Sequence, residues 1–331
     1  MKKFIGIFAF LLVINLLVPV IYYKLYSGLN LPDRPMVEEE LSQEPSPPSK
    51  IKKSTVTLYD EGAKTTVEIP LIDYLVGAAA CEMPASYEAE AIKAQMVAIH
   101  SYYEYVQLNP TYLSTEYITF NEGLMKGYAS KLKLQDYWQM NFDEYYQKYL
   151  RCANEVAQYV AQYNGKPILA AYHAVSCGNT QSSGAEWGME LPYLVCVDSG
   201  SDGVSDDYLK MRSYDIQEMY DRLTTSFAGL NLDIDKPQEW FGEIEYNSSG
   251  YADYINVGGV KIEGRQLRKQ LQLPSSCMMI FLEDGTFSIA TKGYGHGVGL
   301  SQFGANELSK SGKKYDEILS HFYTGISLAE I

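Results

Sequence analysis

No stretch of this chain limits its fold more tightly than Gly77-Ala-Ala-Ala-Cys-Glu-Met-Pro-Ala-Ser86, which lies at the seam between two helical patterns. Among four small residues and a proline the sequence sets Glu82, badly placed for a solvated surface charge and equally badly placed for an ordinary ion pair. It reads as an acid held on purpose. Ser86 is a candidate helix cap, and Glu88 and Glu90 suit the positive end of the helix that follows. Ala91, Ile92, Ala94, Met96, Ala98, Ile99, Tyr103 and Val106 then give that helix an apolar face wide enough to bury against a core. Glu82 is therefore expected at the rim of a packed element.

The ends of the chain say where such an acid works. Lys2 and Lys3 precede Phe4 to Tyr23, an apolar run long enough to cross a bilayer as one helix, leaving residues 1–3 as a short cytoplasmic end. The positive-inside rule then puts everything after Lys24 outside the cytoplasm. A cleaved signal peptide is the rival, but its apolar region would be shorter and no small-x-small site follows, so an uncleaved anchor is expected. Residues 24–50 hold Pro32, Pro35, Pro45, Pro47 and Pro48 with an acidic run at Glu38 to Glu40, a composition that builds no core and reads as a semi-rigid spacer.

About 280 residues remain, enough for one large domain or two coupled ones. The net charge of -14 argues against nucleic acid or an anionic membrane surface as a partner. Cys81, Cys152, Cys177, Cys196 and Cys277 are too few for a disulfide scaffold and odd in number; Cys177 with Cys196 is a candidate bridge, and at least one thiol stays free.

The pattern is that of an α+β fold. Thr55 to Tyr59 and Thr65 to Ile69 alternate around Glu61-Gly62 as a hairpin, and Pro70 opens a short helix through Leu75. The long helix after Ser86 follows, then a second helical run near Asp143 to Tyr159, and Ile168 to Ala174 reads as a strand feeding a Gly/Ser/Asn loop. Helices at Ile216 to Leu223 and Gly264 to Leu271, with strands at Phe241 to Tyr246 and Met278 to Leu282, suggest an inserted or appended second lobe over about residues 202–290.

Two further segments carry chemistry. One is Tyr172-His-Ala-Val-Ser-Cys-Gly-Asn-Thr180 with Glu186, Trp187 and Leu191-Pro-Tyr193 behind it; the other is Gly293-Tyr-Gly-His-Gly-Val-Gly-Leu-Ser-Gln-Phe-Gly-Ala305. Its glycines either let backbone approach a ligand closely or permit positive φ in a tight turn. No Gly-Lys-Ser/Thr ending and no G-x-G-x-x-G register after a strand is present, which excludes a nucleotide site. His173 and Cys177 are too few ligands for zinc.

Taken together, Ala80-Cys-Glu-Met-Pro84, Glu90-Ala-Ile-Lys-Ala-Gln95, His173 to Thr180, Gly264-Arg-Gln-Leu-Arg268 and Gly293 to Gln302 resemble the successive signatures of the stage II sporulation protein D family, over about residues 54–325. The resemblance implies a membrane-anchored lytic transglycosylase that cuts the β-1,4 bond after N-acetylmuramic acid in peptidoglycan glycan strands, leaving a 1,6-anhydro end, during septal wall remodelling and forespore engulfment. One carboxylate suffices there, first as acid to the leaving oxygen and then as base to the sugar's own 6-hydroxyl, so no second carboxylate at hydrolase spacing is needed. Glu82 takes that catalytic role. Such an acid must stay protonated near neutral pH, which partial burial favours.

By the same resemblance the substrate-binding residues are His100, where the family has an arginine, Tyr193, Ser176, Asp198, His296 and Gln302; for the last two, loop hydrogen bonds that buttress the site are an equal reading. No cofactor and no metal are expected: some family members hold zinc in a His/Cys cluster after the catalytic helix, but Tyr112 to Lys133 contains neither residue type. Cys177 stands where the family commonly has glycine. The implied partners are glycan strands stripped of stem peptides, the amidase stage II sporulation protein P and the membrane protein stage II sporulation protein M. Two other function classes stand beside this one. A non-catalytic wall-binding amidase enhancer shares the fold, and a cysteine hydrolase would pair Cys81 or Cys177 with His100, His173 or His296.

Overall fold

Local chemistry fixes the first elements. In the computed structural model, which describes residues 55–110 and 117–331, β1 (Thr55–Asp60) and β2 (Thr65–Pro70) form an antiparallel hairpin in which Val56 faces Ile69 and Leu58 faces Val67, and the short β3 (Thr119–Phe120) pairs in parallel with β1. The Asp60 carboxylate accepts from the amides of Gly62 and Ala63 at 2.8 and 3.1 Å, an Asx turn that closes the hairpin. The expected membrane anchor and spacer lie outside the described residues. Among the described residues no helix is long and apolar enough to cross a membrane.

Helix α1 (Leu71–Glu82) starts directly after Pro70 but does not stop near Leu75 as the sequence suggests. Ala78, Ala79 and Ala80 are strong helix formers and carry it on until the residue before Pro84 must leave the helical region. Gly77 survives mid-helix for a packing reason: a Cβ there would lie 2.2 Å from the Ala129 carbonyl oxygen and 2.6 Å from the Tyr128 ring. Glu82 is thus the last residue of a helix.

Helix α2 (Ala89–Leu108) forms the centre of the larger core, with Ala91, Ile92, Ala94, Met96, Val97 and Ala98 all fully buried. It begins later than a Ser86 cap would require. No side chain of its own caps it; the Glu88 amide is satisfied at 2.8 Å by the Asn306 side chain, from the far end of the chain. Around α2 pack α3 (Lys131–Trp138), the amphipathic α4 (Phe142–Val156) and a small sheet ordered β14 (Ser327–Glu330), β4 (Tyr159–Tyr163), β5 (Lys166–Pro167). Ser101 ties helix to sheet, donating to Val97 O and accepting from the Ala161 amide.

The expected strand from Ile168 shrinks to β6 (Tyr172–His173), because Ile168, Leu169 and Ala170 are spent on the core and the Leu169 amide goes to the Tyr193 hydroxyl instead of a ladder. β6 pairs in parallel with β13 (Leu300–Ser301), which leads into α8 (Gln302–Lys310) and then α9 (Tyr315–Phe322). This long-range pairing brings both sequence motifs to the end of α1.

Residues 209–292 build a second hydrophobic cluster around Trp240, Phe287, Leu267 and Ile255. It holds β7 (Leu209–Asp215), β11 (Met278–Glu283) and β12 (Thr286–Lys292) in one sheet and β8 (Phe241–Tyr246), β9 (Ala252–Val257) and β10 (Val260–Glu263) in another. Helices α6 (Ile216–Ser226) and α7 (Gly264–Gln270) lie against them; α5 (Ser183–Trp187) belongs to the loop before this cluster. Mixed helix and strand in separate segments make the fold α+β.

Candidate active site

Glu82 ends α1 half-buried, and the loop behind it is held from three directions. The Tyr149 hydroxyl donates to Met83 O at 2.7 Å, the Lys148 ammonium to Ala85 O and Tyr87 O, and Asn306 receives the Glu88 amide. Tyr149 and Lys148 come from α4 and Asn306 from α8, so the carboxyl is presented by a rigid frame.

Two forces act on its proton. Burial raises its titration above the ordinary carboxyl range, and the Gln302 amide, donating to Glu82 Oε2 at 3.4 Å, pulls it back only in part. Among the described residues no cation adds to these two influences. The same Gln302 nitrogen reaches Gln95 Oε1 at 3.4 Å, so its two protons are divided between a buried amide on α2 and the carboxyl on α1. Gln302 is also the first residue of α8, whose positive end favours the ionised carboxylate once the proton has gone. Tyr172, Tyr74 and Cys81 lie within electrostatic reach, and the charge on Glu82 adds to burial in holding their protons on.

Sequence reasoning missed Asp202. It is fully buried, and its Oδ2 accepts from the Ser176 amide at 2.6 Å and from the Ser301 hydroxyl at 2.8 Å. Ser301 in turn caps α8 by accepting from the Gly304 amide at 3.1 Å. Asp202 therefore joins the Ser176 loop to the cap of the helix that carries Gln302. A buried carboxylate surrounded by Ser176, Ser199 and Ser301 has no local signature, since its partners lie on three separate segments.

The glycines of the Gly293 loop let other parts of the chain come close. Gly299 has φ +74°, and a Cβ there would come 2.1 Å from Ala171 O; Gly297, at φ +78°, has the Tyr251 ring 2.5 Å away. His296, half-buried in this loop, accepts from the Val298 amide through Nδ1 at 3.0 Å and donates to the Tyr172 carbonyl through its other nitrogen. Its ring lies 5.4 Å from Trp187 and 5.8 Å from His173. Burial and the nearby Arg268 push His296 down to about 4, and burial with His296 beside it takes His173 to about 3. Both imidazoles are neutral at physiological pH.

The remaining expected residues divide by exposure. Ser176 is buried, its amide on Asp202 and its hydroxyl accepting from the Gly178 amide. Tyr193 is 6% exposed, its ring 5.5 Å from Tyr163 and its hydroxyl on the Leu169 amide. His100 is 1% exposed on the core side of α2. Asp198 is exposed, and its carbonyl receives the His321 Nε2 proton at 2.8 Å. Gln302 touches Glu82, and Tyr172, whose carbonyl receives His296, lies within electrostatic reach of Glu82. Cys177, expected beside Cys196, instead lies against Cys277, while Cys196 is exposed. Among the described residues no group of three or more His, Cys, Asp or Glu side chains is gathered to hold a metal ion.

Residues 59–174 match the SpoIID family model, described as a stage II sporulation protein. Along its whole length the chain is 29% identical to Stage II sporulation protein D of Bacillus amyloliquefaciens and 27% identical to that of Bacillus subtilis, covering 96% of each. A more distant relative is the amidase enhancer of Bacillus subtilis, 23% identical over 75% of this chain and 39% of that protein. The chain thus carries a SpoIID-family domain, with Glu82, Gln95 and β6 all inside the matched residues.

Proposed function

We propose that this SpoIID-domain chain is a peptidoglycan lytic transglycosylase of sporulation, anchored in the cell membrane by residues 4–23 with its catalytic region outside. What supports the reading is the state of Glu82: a half-buried carboxyl whose titration is raised by burial, with the Gln302 amide to receive it once ionised and, among the described residues, no cation to ionise it.

That state suits one group acting twice. Protonated Glu82 gives its proton to the glycosidic oxygen as the bond between N-acetylmuramic acid and N-acetylglucosamine breaks. The resulting carboxylate, steadied by the Gln302 amide and the N-terminus of α8, accepts the proton of the sugar's 6-hydroxyl as that oxygen closes on the anomeric carbon. Water is not the nucleophile, so the lack of a second carboxyl beside Glu82 among the described residues is no obstacle. His173 and His296 stay neutral, structural members of the wall behind Tyr172. The proposed partners are glycan strands without stem peptides, the amidase stage II sporulation protein P and the membrane protein stage II sporulation protein M.

The test is digestion of purified glycan strands followed by mass spectrometry. Anhydro-ended fragments are expected from the wild type and none from Glu82→Gln. Reducing ends would overturn the transglycosylase mechanism, and cleavage by Glu82→Gln would overturn the assignment of the acid. The similarity to an amidase enhancer favours a second reading, binding without cleavage. Intact strands that nonetheless retain the protein would support it.

A further inference from the structure

Outside the Glu82 site, one cluster of reactive groups is left unexplained. Cys177 and Cys277 lie 100 residues apart in sequence, yet their thiols are within hydrogen-bonding contact. The Cys177 sulfur also sits 3.3 Å from Ser249 O, over the turn that ends at Tyr251. Cys277 enters β11 beside that turn, where the Ala252 amide donates to Ser276 O at 3.0 Å.

The backbone of Cys177 is held by two tyrosines. Tyr251 accepts the Cys177 amide at 3.1 Å, and the Tyr208 hydroxyl donates to Cys177 O at 3.0 Å. This is the turn that also carries Ser176, the partner of Asp202. The two cysteines thus straddle the line between the larger core, which holds β6 and α8, and the second hydrophobic cluster.

We propose that Cys177 and Cys277 are an exchange-competent dithiol whose oxidation to a disulfide staples the Ser176 loop to the second cluster. The chemistry needs a small disulfide such as glutathione disulfide as oxidant. The Cys177 thiolate attacks one sulfur of that disulfide and expels a glutathione thiolate, giving a mixed disulfide. Cys277 then loses its proton, its sulfur attacks Cys177 Sγ, and the second glutathione thiolate leaves. Two glutathione thiols and one protein disulfide result; the two electrons pass to the oxidant.

Cys177 is the first nucleophile. The neighbouring Cys277 thiol donates to it and favours its ionised form, while Cys277, half-buried beside that charge, keeps its proton. Both side chains are partly exposed, so a small reagent reaches them. Cys152 is buried, and Cys196 is exposed without a partner thiol described for it.

The experiment uses the full chain in detergent micelles at near-neutral pH with excess glutathione disulfide. Remaining thiols are blocked with N-ethylmaleimide, and the unreduced protein is digested and mapped by mass spectrometry. A Cys177–Cys277 linked peptide is expected, with a melting temperature about 5 °C or more above that of the reduced protein. Cys277→Ser is expected to trap glutathione on Cys177, and the wild-type map stands even if that variant does not fold. A Cys177–Cys196 link, or maleimide on both Cys177 and Cys277 after oxidation, would overturn the proposal. Neither outcome bears on whether glycan is cleaved.

Discussion

The Gln302 side-chain amide stands 3.4 Å from the Glu82 carboxyl, across 220 residues of chain. One group ends a helix and the other begins one, so two helix termini set the separation of the acceptor and its donor. Everything around this pair decides how tightly Glu82 holds its proton, and the predictions start there.

Glu82→Gln is expected to abolish glycan cleavage, a loss of about two to four orders of magnitude, without unfolding the protein. Its effect on stability has a definite sign. Folding raises the Glu82 titration, so the folded state keeps a proton that the unfolded state releases, and stability falls as pH rises through the unfolded carboxyl value of about 4.3. The uncharged amide escapes that loss. Melting curves should therefore place the variant at or above the wild type at neutral pH, with the gap closing in acid; a large fall in melting temperature at neutral pH would contradict the sign.

Removal of the Gln302 amide should separate the two duties proposed for Glu82. In Gln302→Met the ionised carboxylate loses its donor, so the alkaline limb of the kcat profile is expected to move to higher pH while kcat drops about tenfold. Gln95→Met should do the same more weakly, because it frees the Gln302 amide to rotate without removing it. Unchanged pH limbs in both variants would mean that the amides only fill space.

Gly77→Ala tests the frame. The added methyl meets the Ala129 carbonyl oxygen at 2.2 Å, which backbone cannot yield easily, so a loss of about 1–3 kcal/mol in urea unfolding is expected. Gly203→Ala is the control: nothing lies within 4 Å of its Cβ, and its effect should stay within about 0.5 kcal/mol.

Asp202→Ala leaves the Ser176 amide and the Ser301 hydroxyl buried without their acceptor. A cost of about 1–3 kcal/mol is expected, together with reduced cleavage because the cap of α8 positions Gln302. Equal loss of cleavage with no loss of stability would argue against this structural linkage.

His173 supplies a pH test. Its folded value of about 3 lies below the ordinary imidazole range, so its contribution to stability is complete above about 6.5 and is lost as pH falls from there toward 3. His173→Asn keeps a donor for Val298 O but does not titrate. Its melting temperature should fall less steeply between neutral and acidic pH than that of the wild type.

Several of these features are legible in the sequence because they rest on short-range rules. The hairpin follows from alternation and Asp60-Glu-Gly62, α2 from its apolar spacing, and Glu82 from the contrast between a charge and its small neighbours. The glycines of the Gly293 loop announce positive φ without saying which segment comes close. Gly77 weakens helix propensity just beyond Leu75, yet the helix runs on to Glu82, because packing on Ala129 makes glycine the residue that fits.

What the sequence by itself determined is the odd placement of Glu82 among small residues, the helices on either side of it and the loop rich in glycine. Only the tertiary structure decided the rest: the amide that meets Glu82, the depth of His100 and Tyr193, the Asp202 knot and the thiol beside Cys177. Propensity and capping act within a few residues, but burial and partner choice arise when segments far apart in the chain pack together. Titration follows burial, so the behaviour of Glu82 belongs to the fold.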